Sequence, residues 1–203
     1  MNLRVKMDCK DKYRDMWYNR VRDFILSLDA DVEDIYVISF LKGNDYDDPR
    51  SPYIIVDYNT ISNYKSQTSK ASSEGEAKWN YAFWLENDLL TIGGENDSDL
   101  RKLFESEHIF YGGDNSDDDL LDEDMEEDEK DDKMQELFMD IVIEISNRLH
   151  EDGVLKKKFG KEIPVIIHEL EYYELPMSWT RRGNPEELIV EFENWYRTEI
   201  CGN

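Results

Sequence analysis

The side chains of this chain best suited to chemistry are carboxylates, and most of them are crowded into one place. Between Asp114 and Asp132 there are 13 acidic residues and a single lysine, Lys130. An aspartate run of this kind invites calcium. An EF-hand loop places ligands at alternate positions, with glycine at the sixth and glutamate at the twelfth. Counting from Asp114, those positions hold Asp119 and Met125, so the pattern fails. What remains is generic, weak attraction of divalent cations to a polyanion.

Histidine chemistry has little to build on. His108, His150 and His168 stand at no spacing that matches a metal motif, and neither Cys9 nor Cys201 has a near partner. Glu169, Glu171 and Glu174 beside Tyr172 and Tyr173 form the most interesting carboxylate group. On a strand, Glu169 and Glu171 share one face while His168 and Leu170 take the other. A hydrolase site built from His168, Glu169 and Glu171 is one reading; a solvated strand face is the plainer one. Gly93-Gly94 and Gly112-Gly113 lack the lysine and the strand–loop–helix setting of a phosphate loop. The sequence asks for no cofactor and no metal, and it carries no catalytic signature.

The remaining chemistry is recognition. Trp79, Tyr81, Phe83 and Trp84 supply aromatic side chains of the kind that anchor protein interfaces. Negative charge speeds encounter with a basic partner. Trp79, Tyr81, Trp84, Glu169, Glu171 and the tract residues Asp117, Asp118 and Asp119 are therefore the candidate partner-binding residues.

These residues must be positioned by ordinary elements. Tyr13, Trp17, Val21, Phe24, Ile25 and Leu28 recur at intervals of three and four, which predicts a helix over 9–28, with Asp8 placed to cap it. Residues 35–41 and 53–58 are β-branched and aromatic, and the turn-rich stretch between them predicts a hairpin. Ser62 to Glu76 reads as a weak helix or a loop. Over 78–85 the alternation of Trp79, Tyr81, Phe83 and Leu85 favours a strand. Leu89 to Ile92 ends at two glycines, and Asp97 or Ser98 can cap a short helix to about Glu107.

The signals beyond the tract are stronger. Met134, Leu137, Phe138, Ile141, Val142, Ile145 and Leu149 define an amphipathic helix that Gly153 ends. Ile163 to Leu170 reads as a strand. Asn184-Pro185-Glu186-Glu187 reads as an N-cap, a proline at the first helical position and acids in the first turn, followed by a buried stripe of Leu188, Ile189, Phe192, Trp195 and Tyr196. The expected architecture is one α+β domain over 1–203: a largely antiparallel sheet flanked by N- and C-terminal amphipathic helices, interrupted by a mobile acidic loop at 111–132.

Charge decides between partners. The formal charge is −24, and the tract carries −12 of it. Residues 1–22, by contrast, hold seven basic and three acidic groups. Phosphate contacts need clustered Lys and Arg, so nucleic acid is excluded as the expected partner. A membrane is excluded as well, because nothing approaches 18 consecutive apolar residues. The basic start lacks the apolar run of a signal peptide, and two distant cysteines are not a secreted disulfide framework. The expected location is the cytoplasm, with free thiols.

Three segments carry a resemblance: Lys78-Trp79-Asn80-Tyr81-Ala82-Phe83-Trp84, the run Pro164 to Tyr172, and Asn184-Pro185 opening a helix with Phe192 and Trp195. Together they resemble small bacterial α+β proteins encoded beside polymorphic toxins, many of which serve as immunity proteins. The acidic insertion is not part of that shared pattern. The resemblance implies a cytoplasmic binder, not an enzyme, that occludes a basic protein, a cognate toxin domain. The competing expectation is that the acidic tract itself works as a chaperone-like or self-regulating polyanion for a basic partner.

Overall fold

The computed structural model describes residues 9–29, 33–112 and 126–202, with only the backbone of Cys9. The cap expected at Asp8 and most of the acidic tract, including Asp117, Asp118 and Asp119, lie outside the described residues. The architecture is mixed α+β, as expected, but helix far outweighs strand: 57% of the described residues against 15%.

The sheet has four strands in the order β3-β2-β1-β4: β1 (Ile35–Asn44), β2 (Pro52–Thr60), β3 (Leu90–Gly93) and β4 (Val165–His168). The expected hairpin is present. β1 and β2 pair antiparallel, with Phe40 opposite Val56 and Asn44 opposite Pro52. Their connection is a 3₁₀ turn, Asp45–Asp47, whose Tyr46 and Asp47 adopt positive φ. β3 joins the outer side of β2 antiparallel. β4 runs parallel to β1, a pairing that no tight turn can make.

Strand alternation sends side chains to two faces, and helices cover both. One face presents Ile38, Phe40, Ile54, Val56, Val165 and Ile167 to the larger core. Helices α1 (Cys9–Ser27), α4 (Ser98–Ser106), α5 (Glu127–Glu151) and α6 (Val154–Phe159) contribute to it. Trp17 meets Phe138 edge-on at 5.7 Å between ring centres. Full burial of a side chain the size of Phe138 stabilises by about 1.5–3 kcal/mol. The opposite face presents Tyr36, Val37 and Ile166 to a second, aromatic core. That core is covered by α2 (Ile61–Gln67), α3 (Glu74–Trp79), α7 (Glu174–Arg182) and α8 (Glu186–Trp195).

Three expectations are corrected. The acidic loop does not extend to 132: residues 127–132 are the first turns of α5, where Glu127, Asp128 and Glu129 meet the positive end of the helix dipole. The segment 78–85 is no strand. Ser73 caps α3 by accepting from the Glu76 amide at 2.9 Å, and the Asn80 side chain accepts from the Ala82 amide at 3.0 Å to start a 3₁₀ turn over Tyr81–Phe83. These local bonds turn the chain at a place where alternation suggested extension. The strand expected over 163–170 shortens to Val165–His168, so Glu169 and Glu171 are not strand residues.

Asn184 is a fourth correction. Its side chain does not cap α8. It accepts from the Val165 amide at 2.8 Å and donates to the Val165 and Thr180 carbonyls at 2.7 and 2.8 Å. Thr180 Oγ1 in turn bonds both the amide and the carbonyl of Ile167, at 2.9 and 2.8 Å. Two side chains thus replace a missing strand on the outer edge of β4. A bare edge is a template for pairing with another chain, and here it is closed.

No helix among the described residues is long and apolar enough to cross a membrane. Cys201 is a free, exposed thiol.

Candidate functional site

The C-terminal ends of the parallel pair β1 and β4 open into a cleft of about 430 Å³ between α5 and α7. Lys42 and Glu169 extend from the two strand ends, and their side chains pair at 3.1 Å. From α5 come Asp132, Gln135, Glu136 and Met139; from α7 and its start come Tyr173, Leu175 and Trp179. The helix spacing explains the assembly. Asp132 and Glu136 stand one turn apart on α5, as do Leu175 and Trp179 on α7, so each helix offers a matched pair to the cleft.

Most polar groups in the cleft already have partners. Glu169 Oε1 takes Lys42, and Oε2 accepts from the Tyr173 hydroxyl. Burial, helped by that carboxylate, pushes the Tyr173 hydroxyl up to about 12, so it stays protonated and donating at neutral pH. Gln135 donates to the Asn44 side chain at 3.1 Å and to the Pro49 carbonyl at 2.6 Å. Asp132 and Glu136 have no hydrogen bond or ion pair among the described residues. One cation against three carboxylates leaves the lining near −2. Leu175, 52% exposed, adds apolar surface at the mouth.

Of the candidate partner-binding residues that are described, Glu169 alone lines this cleft, together with the Tyr173 noted beside it in the sequence. Glu171 is exposed nearby. Trp79 and Trp84 are core residues, 3% and 6% exposed, and Tyr81 is half-buried. Their fixed partners explain why. The ring of Trp79 lies 4.9 Å from the Lys78 ammonium, which also sits over Tyr36 and Tyr64 and pairs with Glu191 at 2.6 Å. Trp84 Nε1 donates to the Lys78 carbonyl at 2.8 Å. These aromatics serve the second core instead of a partner.

His168 does not join Glu169 and Glu171. It is fully buried on the opposite sheet face, packed against Tyr81, Trp84 and Tyr172. Nδ1 faces the Glu169 carbonyl at 2.9 Å, so that nitrogen carries the proton and Nε2 accepts from the Ser39 hydroxyl at 2.8 Å. Burial lowers its pKa to about 4, against a weaker upward pull from the Glu169 carbonyl and charge. A serine donating to a neutral imidazole has the makings of a nucleophile and its base. Ser39, however, is 2% exposed, so the pair satisfies two buried polar groups inside the core. Among the described residues, no three His, Cys, Asp or Glu side chains converge as metal ligands.

The sequence reading missed Lys42, Glu136 and Trp179, and took Asp132 only as the end of the acidic tract. Asp132 and Glu136 share a helix face in the sequence, but only the crossover of β4 beside β1 brings Lys42 to Glu169. Fold and site together define a helix-rich α+β protein bearing an acidic, aromatic-walled cleft at one end of a parallel strand pair. Comparisons with protein-family models, curated proteins and solved structures give no match to this chain.

Proposed function

We propose that this protein is a cytoplasmic, immunity-type inhibitor that binds a basic partner, a cognate toxin domain, and occludes its working surface. The observation that carries the reading is the cleft: a concave, partly apolar surface whose unpaired groups are all acidic. It sits on a chain of formal charge −24, which favours fast encounter with a positively charged protein. Tyr173 and Leu175 are exposed at the cleft, and a partner that covers them displaces water, so that the carboxylates then act on it at reduced dielectric. The resemblance of the three aromatic segments to bacterial immunity proteins points the same way.

The acidic tract supplies a second reading, because half of the net charge lies between Asp114 and Asp132. In that reading the tract shields a basic protein as a polyanion, and the fold is its carrier. Co-expression with the protein encoded next to this one tests the first reading. A stable complex and rescue of growth are expected; neither complex nor rescue refutes it. Deletion of residues 114–125, which spares α5, separates the two: rescue survives if the folded surface binds, and disappears if the tract does.

A further inference from the structure

We infer that the cleft between α5 and α7 is built to receive one arginine side chain from an extended segment of the partner. The inference rests on the proposed function for the identity of the partner, but the cleft's own chemistry selects the residue. The charge comes first. Glu169 is satisfied by Lys42 at 3.1 Å and by the Tyr173 hydroxyl, so it cancels the one cation present. Asp132 and Glu136 are left facing the same space with no partner among the described residues. A cationic group is therefore the favoured occupant: an anion meets two uncompensated carboxylates, and a neutral group leaves them uncompensated.

Geometry then separates arginine from lysine. Asp132 and Glu136 are four residues apart on α5, so their side chains rise from points about 5–6 Å apart. A guanidinium carries five N–H donors in a planar fork and can bond two carboxylates at once, whereas an ammonium is a compact point charge. The ring of Tyr173, 43% exposed, also lines the space, with Trp179 buried behind it, and a guanidinium is the cation that stacks on an aromatic ring while its edges stay hydrogen-bonded. The aliphatic stem has matching surface in Leu175, which is 52% exposed at the mouth. A cleft of about 430 Å³ lies at the lower end of the ligand-site range of roughly 300–1,000 Å³. It suits a side chain with its flanking backbone better than a folded domain.

A bare metal ion is the poorer occupant. Hard cations require about six oxygen ligands, and two free carboxylates beside a neutralised third do not provide them.

The test uses the full chain and two tripeptides, acetyl-Gly-Arg-Gly-amide and acetyl-Gly-Lys-Gly-amide, titrated at low salt and followed by NMR. The arginine peptide should shift the indole N–H signal of Trp179 and saturate. The lysine peptide should bind about tenfold more weakly, because it loses the second charge-assisted hydrogen bond and the stacking. The double variant Asp132→Asn/Glu136→Gln should weaken the arginine peptide about tenfold or more with an unchanged amide spectrum elsewhere, since both side chains are at the surface. Equal binding of the two peptides overturns the inference. So do shifts confined to 127–129 with Trp179 unmoved, which would mark a plain polyanion effect. The outcome also separates this inference from the proposed function. Arginine binding without a complex between this protein and its neighbour leaves the cleft assignment standing and sinks the inhibitor reading. A neighbour complex indifferent to the double variant does the reverse.

Discussion

Replacing His168 by glutamine should flatten one part of the protein's acid response, and the amount follows from the histidine's surroundings. An imidazole that titrates near 6.5 in the unfolded chain is held to about 4 in the fold by burial. The folded state therefore refuses a proton that the unfolded state accepts. Its contribution to stability is intact above about pH 6.5 and is lost as the pH falls towards 4. Each pH unit inside that window costs about 1.4 kcal/mol, so the total approaches about 3 kcal/mol, with about 2 kcal/mol gone by pH 5. Because His168 is wholly buried, solvent screening does not dilute the effect. Other groups titrate over the same range, and protonation of carboxylates relieves the repulsion of a −24 chain in the opposite direction. Those terms are common to both proteins and cancel in a comparison. Urea unfolding of wild type and His168→Gln, followed by tryptophan fluorescence at pH 7.5 and pH 5, measures the difference. Glutamine can still accept from Ser39, so the variant should fold. The stability of wild type relative to the variant should fall by about 2 kcal/mol between the two pH values. Parallel curves, or a His168 proton resonance titrating near its ordinary value, would refute the argument.

Two further substitutions probe the scaffold. Asn184→Ala strips partners from the buried amide and carbonyl of Val165 and should cost about 2–4 kcal/mol in a urea melt; a loss below about 1 kcal/mol would mean that water replaces the side chain at the strand edge. Gly93→Ala forces a side chain onto a φ of +84° with its Cβ 2.4 Å from the Pro52 carbonyl oxygen. It should destabilise by about 2 kcal/mol or more, read from the midpoint of thermal unfolding; an unchanged midpoint would show that β3 shifts freely.

Elements with a single strong period were legible in the sequence. The stripe from Met134 to Leu149 became the buried face of α5, and Gly153 ended it with the positive φ expected of a glycine stop. The hairpin of β1 and β2 was legible from two apolar runs around a polar turn. Reading failed where local polar bonds opposed the apolar pattern, as at Ser73 and Asn80, which turn the aromatic run 78–85 away from extension. It failed again at Asn184, whose neighbours look like a helix cap while its side chain serves a strand. The cleft was illegible for a different reason. Lys42 meets Glu169 only because β4 docks parallel to β1, and nothing local in either segment encodes that choice. Glu169 was singled out as one of a run of glutamates beside tyrosines, and that chemistry survives in its bond from Tyr173. Its supposed companion His168 went to the other face of the sheet, as alternation requires.

The late arrival of β4 shapes the birth of the molecule as well as its finished form. Ser39 and His168, which hold the two parallel strands together in the core, are 129 positions apart in the chain. During synthesis the hairpin of β1 and β2 leaves the ribosome long before the strand that must lie beside it. Through that interval β1 has an open edge and two apolar faces, and any second nascent hairpin competes for the same hydrogen bonds. Only when β4 slots in, and Thr180 and Asn184 close its outer side, does the edge cease to exist. The interval between those two events is when unfinished copies of the chain are most open to pairing with one another.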